Sequence, residues 1–143
     1  MMTTTVRQML AGKRDVYSVA PETTIYDALS LMAEKNIGAL LILENERPVG
    51  IMSERDYARK IILEGRSSRE TKVRSIMTTR LVQVEATDTV EYAMALMTRE
   101  RIRHLPVMDG ESVLGLVSFG DLVKAMIDLQ QFRIEQLERY IAT

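Results

Sequence analysis

Apolar residues recur along the chain in two alternating registers. Ile25, Ala28, Leu29 and Met32 fall at i, i+3, i+4 and i+7, and Val90, Ala93, Met94 and Met97 do the same. That spacing lays one apolar stripe along a helix. Ahead of each helix lies a short β-rich run, at 16–19 and 81–84. Thr23-Thr24 and Asp88-Thr89 then offer a hydroxyl or carboxylate to the free N–H groups of a first helical turn. Behind each helix two further strands are predicted. Residues 39–43 pair with about 49–52 across Glu44-Asn45-Glu46-Arg47-Pro48, and 105–108 pair with 113–117 across Asp109-Gly110-Glu111-Ser112. Asp-Gly is the stronger hairpin signal of the two. Ser53 and Ser118 stand where a second helix would begin. The predicted order is β-α-β-β-α, twice.

The two units are copies of one another. At an offset of 65, Val19 falls on Val84, Ala28 on Ala93, Met32 on Met97, Leu40 on Leu105, Gly50 on Gly115, Ser53 on Ser118 and Asp56 on Asp121. Identities of this density at one offset mark a tandem repeat. The fold class is therefore α/β (α+β), with one repeat over 6–63, a linker over 64–75 and a second repeat over 76–127. A C-terminal helical extension over 128–143 follows. The linker is polar through Lys72, and its basic residues are read as a solvated connector with phosphate contact as the alternative. In the last helix Val123, Ile127, Ile134, Leu137 and Ile141 advance in steps of four and three if Gln130 is counted. That stripe suits either a coiled-coil seam or packing back on its own module.

Composition narrows the class. The 143 residues carry a formal charge of −1, and 46% of them are hydrophobic. A near-neutral chain lacks the basic face that nucleic acid favours, so nucleic-acid binding is disfavoured. With no cysteine, disulfides and thiolate metal sites are excluded, which fits a reducing cytoplasmic setting. One histidine cannot build a multi-His metal site. No apolar run approaches membrane-spanning length. Neither the Gly-x-x-x-x-Gly-Lys-Ser/Thr loop nor Gly-x-Gly-x-x-Gly occurs. No catalytic constellation stands out, and the chain is expected not to be an enzyme.

The chemistry sits in a repeated signature, Gly-apolar-apolar-Ser-x-x-Asp: Gly50-Ile51-Met52-Ser53-Glu54-Arg55-Asp56 and Gly115-Leu116-Val117-Ser118-Phe119-Gly120-Asp121. The Ser falls where strand becomes helix, beside free N–H groups that suit phosphate. The Asp lies about one turn on, facing the same way. Its carboxylate can accept two hydrogen bonds, as the vicinal hydroxyls of a ribose require. The other reading is a capping box that only starts a helix. Two copies at one place in two repeats favour the ligand.

The β-α-β-β-α repeat, the doubled Gly-x-x-Ser-x-x-Asp and Arg103-His104-Leu105-Pro106-Val107 together resemble a tandem pair of cystathionine-β-synthase (CBS) domains, or Bateman module, of the stand-alone bacterial type. The resemblance implies two repeats about a pseudo-twofold axis, with two clefts that each mix both repeats. The implied ligands are AMP, ADP, ATP, NAD(H) or S-adenosylmethionine, with AMP or an NAD-type ligand favoured and no catalytic cofactor. Carried over, one site takes Ser118, Gly120 and Asp121 with Tyr17, Ile37, Gly38 and Ala39. The other takes Ser53, Arg55 and Asp56 with Val82, Ile102, Arg103 and His104. Arg103 and His104 stand where family members often place phosphate-binding residues.

The residues themselves leave alternatives. His104 could be structural, Tyr17 could be core, and Arg55 could pair with Glu54 or Glu34. The two clefts are expected to be unequal, since Arg55 and Arg103-His104 correspond to Gly120 and Gly38-Ala39. The implied function is regulatory: adenine-nucleotide sensing that modulates a partner protein, in a homodimer. A ligand-free scaffold that retains the fold is the alternative.

Overall fold

The computed structural model describes residues 4–11 and 16–142. It has two three-stranded sheets, each with its strands in sequence order. The first repeat holds β1 (Ser18–Val19), α2 (Ile25–Lys35), β2 (Ala39–Glu44), β3 (Arg47–Ser53) and α3 (Glu54–Tyr57). The second holds β4 (Val84–Glu85), α4 (Val90–Glu100), β5 (His104–Asp109), β6 (Ser112–Ser118) and α5 (Phe119–Ala142). A short helix α1 (Val6–Leu10) precedes them. In each sheet the first strand runs parallel to the second, and the second antiparallel to the third.

Local chemistry explains the boundaries. Thr24 and Thr89 cap α2 and α4, their hydroxyls accepting from Asp27 N–H at 3.2 Å and Tyr92 N–H at 3.1 Å. Such a cap is worth about 1 kcal/mol. Both helices end on a left-handed residue, Asn36 at φ 53 and Arg101 at φ 56. The first hairpin is tighter than its five-residue sequence suggested. Only Asn45 and Glu46 form the loop, at φ 53 and 67, and Arg47-Pro48 already belongs to β3. Positive φ at both loop positions matches the right-handed twist of the strands. Pro48, which has no N–H, sits beside a register irregularity after Ile42. The leading strands are also shorter than their apolar runs, because only two residues of each find a ladder partner.

Each repeat closes its own core. Ile25, Ala28 and Met32 of α2 meet Leu40 and Ile42 of β2 and Met52 of β3. Val90, Ala93, Leu96 and Met97 of α4 meet Leu105, Val107 and Val117. Burying one such side chain contributes about 1.5–3 kcal/mol. Leu41 is fully buried yet belongs to neither core. Strand periodicity turns it away from Leu40 and Ile42, onto the sheet face that meets the other repeat, where β3 approaches β6.

The leading segments cross over. Val6 and Leu10 of α1 are buried in the core of the second repeat. Val6 N–H donates to Asp88 O at 2.8 Å, and Val90 N–H donates to Thr4 O at 2.9 Å. Val73 and Ile76, from the segment between the repeats, are buried in the first core. There Val73 N–H donates to Thr23 O at 2.8 Å, and Ile25 N–H donates to Thr71 O at 2.9 Å. Each repeat is thus completed by the stretch that precedes the other.

The second helices differ. After α3 the first repeat continues as a π-helical turn, Ala58–Ile62, with Ile61 buried and Ile62 exposed. Ile61 and Leu122 are core residues. In the second repeat α5 runs on for 24 residues. Its start packs on its own module through Leu122, Ala125 and Met126, whereas Ile127, Ile134, Leu137 and Ile141 are exposed. Among the described residues no helix is long and apolar enough to cross a membrane.

Candidate functional site

Both signature helices start with the same reciprocal geometry. Ser53 N–H donates to Asp56 Oδ2 at 3.0 Å, and Asp56 N–H donates to Ser53 Oγ at 3.2 Å. In the second copy the distances are 2.9 and 3.0 Å. The capping-box reading therefore holds in both repeats. It uses Oδ2 of Asp56. Toward Oδ1 stands Lys60 Nζ, 3.5 Å away.

The signature glycine makes room for a passing chain. A Cβ on Gly50 would lie 2.7 Å from Met77 Sδ and 3.1 Å from Thr78 O. Thr78 pairs with Ile51 there, donating at 2.9 Å and accepting at 3.0 Å. The segment leading into the second repeat is thereby held along the edge of β3. The matching Cβ on Gly115 would meet Leu10 at 3.6 Å, an ordinary contact.

A cleft of about 390 Å³ opens between the repeats at this edge. From the first repeat it is lined by Gly38, Ile51, Ser53, Glu54, Arg55 and Asp56. From the other side come Thr78, Arg80, Val82 and the run Arg101-Ile102-Arg103-His104. All of Ser53, Arg55, Asp56, Val82, Ile102, Arg103 and His104 share this one cavity.

Of the other expected set, Gly38 lines this cleft as well. Asp121 borders a separate depression of about 490 Å³ with Thr4, Met9, Lys124 and Asp128. Ser118 caps α5, and only Ser118 Oγ, at 3.7 Å, would neighbour a Cβ on Gly120. Ile37 and Tyr17 pack against the first core, with Lys35 Nζ 5.3 Å from the Tyr17 ring centroid. Ala39 is buried.

Sequence reasoning missed Ile51, Glu54, Thr78, Arg80 and Arg101. Arg101 had an available signal: it replaces Asn36 at the left-handed helix end, where Asn is the commoner choice. Thr78 and Arg80 had none, because their place depends on the path of the connector.

The charges in the cleft are unevenly paired. Arg80 is bound to Glu100 at 2.9 Å. Among the described residues Arg55, Arg101 and Arg103 have no ion pair, so neither Glu54 nor Glu34 holds Arg55. Burial lowers the pKa of His104 below its ordinary 6.5; Arg103 acts the same way, against Asp121 and Glu54. At neutral pH His104 is therefore uncharged, with one ring N–H to donate. Three of the linker cations are engaged elsewhere: Lys72 and Arg74 hold Glu22, and Arg69 lies over the Tyr26 ring at 4.0 Å. Among the described residues no group of His, Asp or Glu is arranged to hold a metal ion. The cleft combines apolar walls for a flat ring, a carboxylate beside a helix start and free guanidinium groups suited to phosphate.

The family model described as CBS domain matches residues 6–63 and 73–128. The CBS domain-containing protein CBSX3, mitochondrial, of Arabidopsis thaliana is 43% identical over 125 residues, covering 84% of this chain and 61% of its own length. This chain thus spans under two thirds of that relative. The CBS domain-containing protein YhcV of Bacillus subtilis is 36% identical over 107 residues, covering 75% of this chain and 76% of its own. A solved CBS-domain protein from Burkholderia ambifaria superposes with TM-score 0.84 at 50% identity, over 87% of this chain and 95% of that one. Two matched repeats, the doubled signature and this superposition lead to one conclusion: the chain belongs to the CBS domain family.

Proposed function

We propose that this chain is an adenine-nucleotide-binding regulatory protein whose cleft occupancy modulates a partner protein. One observation carries the reading: the seven residues Ser53, Arg55, Asp56, Val82, Ile102, Arg103 and His104, drawn from both repeats, line a single cleft. The adenine lies against Val82 and Ile102. The ribose hydroxyls face Asp56, and phosphate meets Arg55, Arg103 and the His104 N–H. Because both repeats form the walls, a ligand that favours one mutual arrangement shifts the population toward it. AMP, ADP, ATP, NAD-type ligands and S-adenosylmethionine fall within this class, and no catalytic step is part of the proposal.

Calorimetry and thermal shift with AMP, ATP, NADH and S-adenosylmethionine test it. A micromolar dissociation constant, about −8 kcal/mol, is expected for at least one of them. Neither heat nor shift from any of them would sink the reading.

A scaffold without ligand is the second reading, and the exposed apolar residues of α5 favour it as an interaction surface. An adenine absorbance shoulder in the purified protein separates the two, since the chain has no Trp.

A further inference from the structure

The cleft continues into a second lobe of about 360 Å³. Arg55, Thr98, Arg101, Arg103 and Phe119 line it over Met97. Arg55, Arg101 and Arg103 border both cavities. Arg55 comes from the first repeat and the other two from the second, so arginines from both repeats line the same two cavities. None has an ion pair among the described residues. Among the described residues no carboxylate lines this lobe, so the three cations on its walls repel one another unless something anionic joins them.

The other half of the molecule provides an internal control. At the repeat offset of 65, Arg55, Arg101 and Arg103 correspond to Gly120, Asn36 and Gly38. Thr98 corresponds to Ala33, and Phe119 to Glu54. One lobe carries three cations, and its symmetry mate would carry none and one acid. The fold asks for no charge at these places. At the helix end it is served as well by Asn36, and Arg101 adopts the same left-handed φ with no benefit to the backbone.

Resting on the nucleotide reading above, we infer that this lobe takes the terminal phosphates of the ligand. The site then selects a nucleoside di- or triphosphate over a monophosphate or a sulfonium nucleoside. A monophosphate leaves part of the guanidinium cluster without a partner. The sulfonium of S-adenosylmethionine brings a cation toward three others. A polyphosphate supplies several oxygens for the planar, bidentate guanidinium forks.

The test measures the affinities of AMP, ATP, S-adenosylmethionine and inorganic tripolyphosphate for the native chain and for Arg55→Gln/Arg101→Asn/Arg103→Gln, with thermal melting as the check on folding. ATP should bind the native chain about tenfold or more tighter than AMP, as charge-assisted contacts predict. In the variant the ratio should fall to about one. Equal affinities for AMP and ATP in the native chain, or a preference that survives in the variant, would overturn the inference while the nucleotide reading stands. Tripolyphosphate binding to the native chain but not to the variant, with no nucleotide bound, would refute the nucleotide reading and support the lobe. Binding of none of the four overturns both.

Discussion

The Lys60 ammonium lies 3.5 Å from Asp56 Oδ1 and donates to the carbonyl of Ile76 at 2.9 Å. The carboxylate facing the cleft is thus tied to the connector that leads into the second repeat. Asp121 has no such lysine four residues on, because Ala125 stands there. The two signature carboxylates therefore differ in their surroundings while sharing one capping geometry.

Asp56→Ala should weaken nucleotide binding in this cleft about 10–150-fold, since a hydrogen bond to a charged group is worth about 1.5–3 kcal/mol. It should also cost about 1 kcal/mol of stability through the lost cap. Asp121→Ala should incur the second effect and leave this cleft's affinity unchanged. Calorimetry and urea titration of both variants separate the two effects. Unchanged affinity in Asp56→Ala would remove the carboxylate from the site.

Gly50→Ala and Gly115→Ala should behave differently although they are equivalent in sequence. The Cβ on Gly50 collides with Met77 Sδ and presses on Thr78 O, and overpacking of this kind costs about 1–3 kcal/mol. The Cβ on Gly115 finds only ordinary contact with Leu10. Urea unfolding of the two variants should show a loss in the first and little change in the second.

Leu10→Ala should act on the repeat that is distant in sequence. Leu10 is buried in the second core, so a cost of about 2–5 kcal/mol is expected. Hydrogen exchange should accelerate in α4 and β5 before α2 and β2. The reverse order would contradict the crossed packing.

Acid should destabilise the native protein through His104. Its folded pKa lies below the unfolded 6.5, so the unfolded chain binds the proton first as pH falls. The stabilising contribution of the neutral ring is complete above 6.5 and declines as pH drops from there toward the lower folded value. The melting temperature of native protein should fall between about pH 7.5 and about pH 5.5, and that of His104→Asn should fall less.

A homodimer is the expected assembly, built on the exposed apolar residues of α5. A small monomer seldom leaves more than a few hundred Å² of contiguous apolar surface bare. Light scattering should give about twice 16.3 kDa. Leu137→Glu/Ile141→Glu should return a monomer without altering the melting transition of either core. A native monomer would leave this surface to another partner.

Local order along the chain determined the two repeats, their β-α-β-β-α sequence and the Ser-x-x-Asp helix starts. Those features follow from periodicity and from contacts within four residues, such as Ser53 with Asp56. The same regularity also placed Ser53, Arg55 and Asp56 opposite Val82, Ile102, Arg103 and His104, by way of the family resemblance. Only tertiary structure decided that Val6 completes the second core and Val73 the first. The two repeats offer similar docking grooves, and a five-residue apolar helix carries no local mark of which groove it fills. Tertiary structure also brought Thr78 to the edge of β3, set Gly50 against Met77 and Thr78 there, and put Arg101 and Arg55 of the other repeat on the same two cavities. Such convergence depends on how two closed cores pack across their sheets, a relation between residues far apart in sequence that no local spacing encodes.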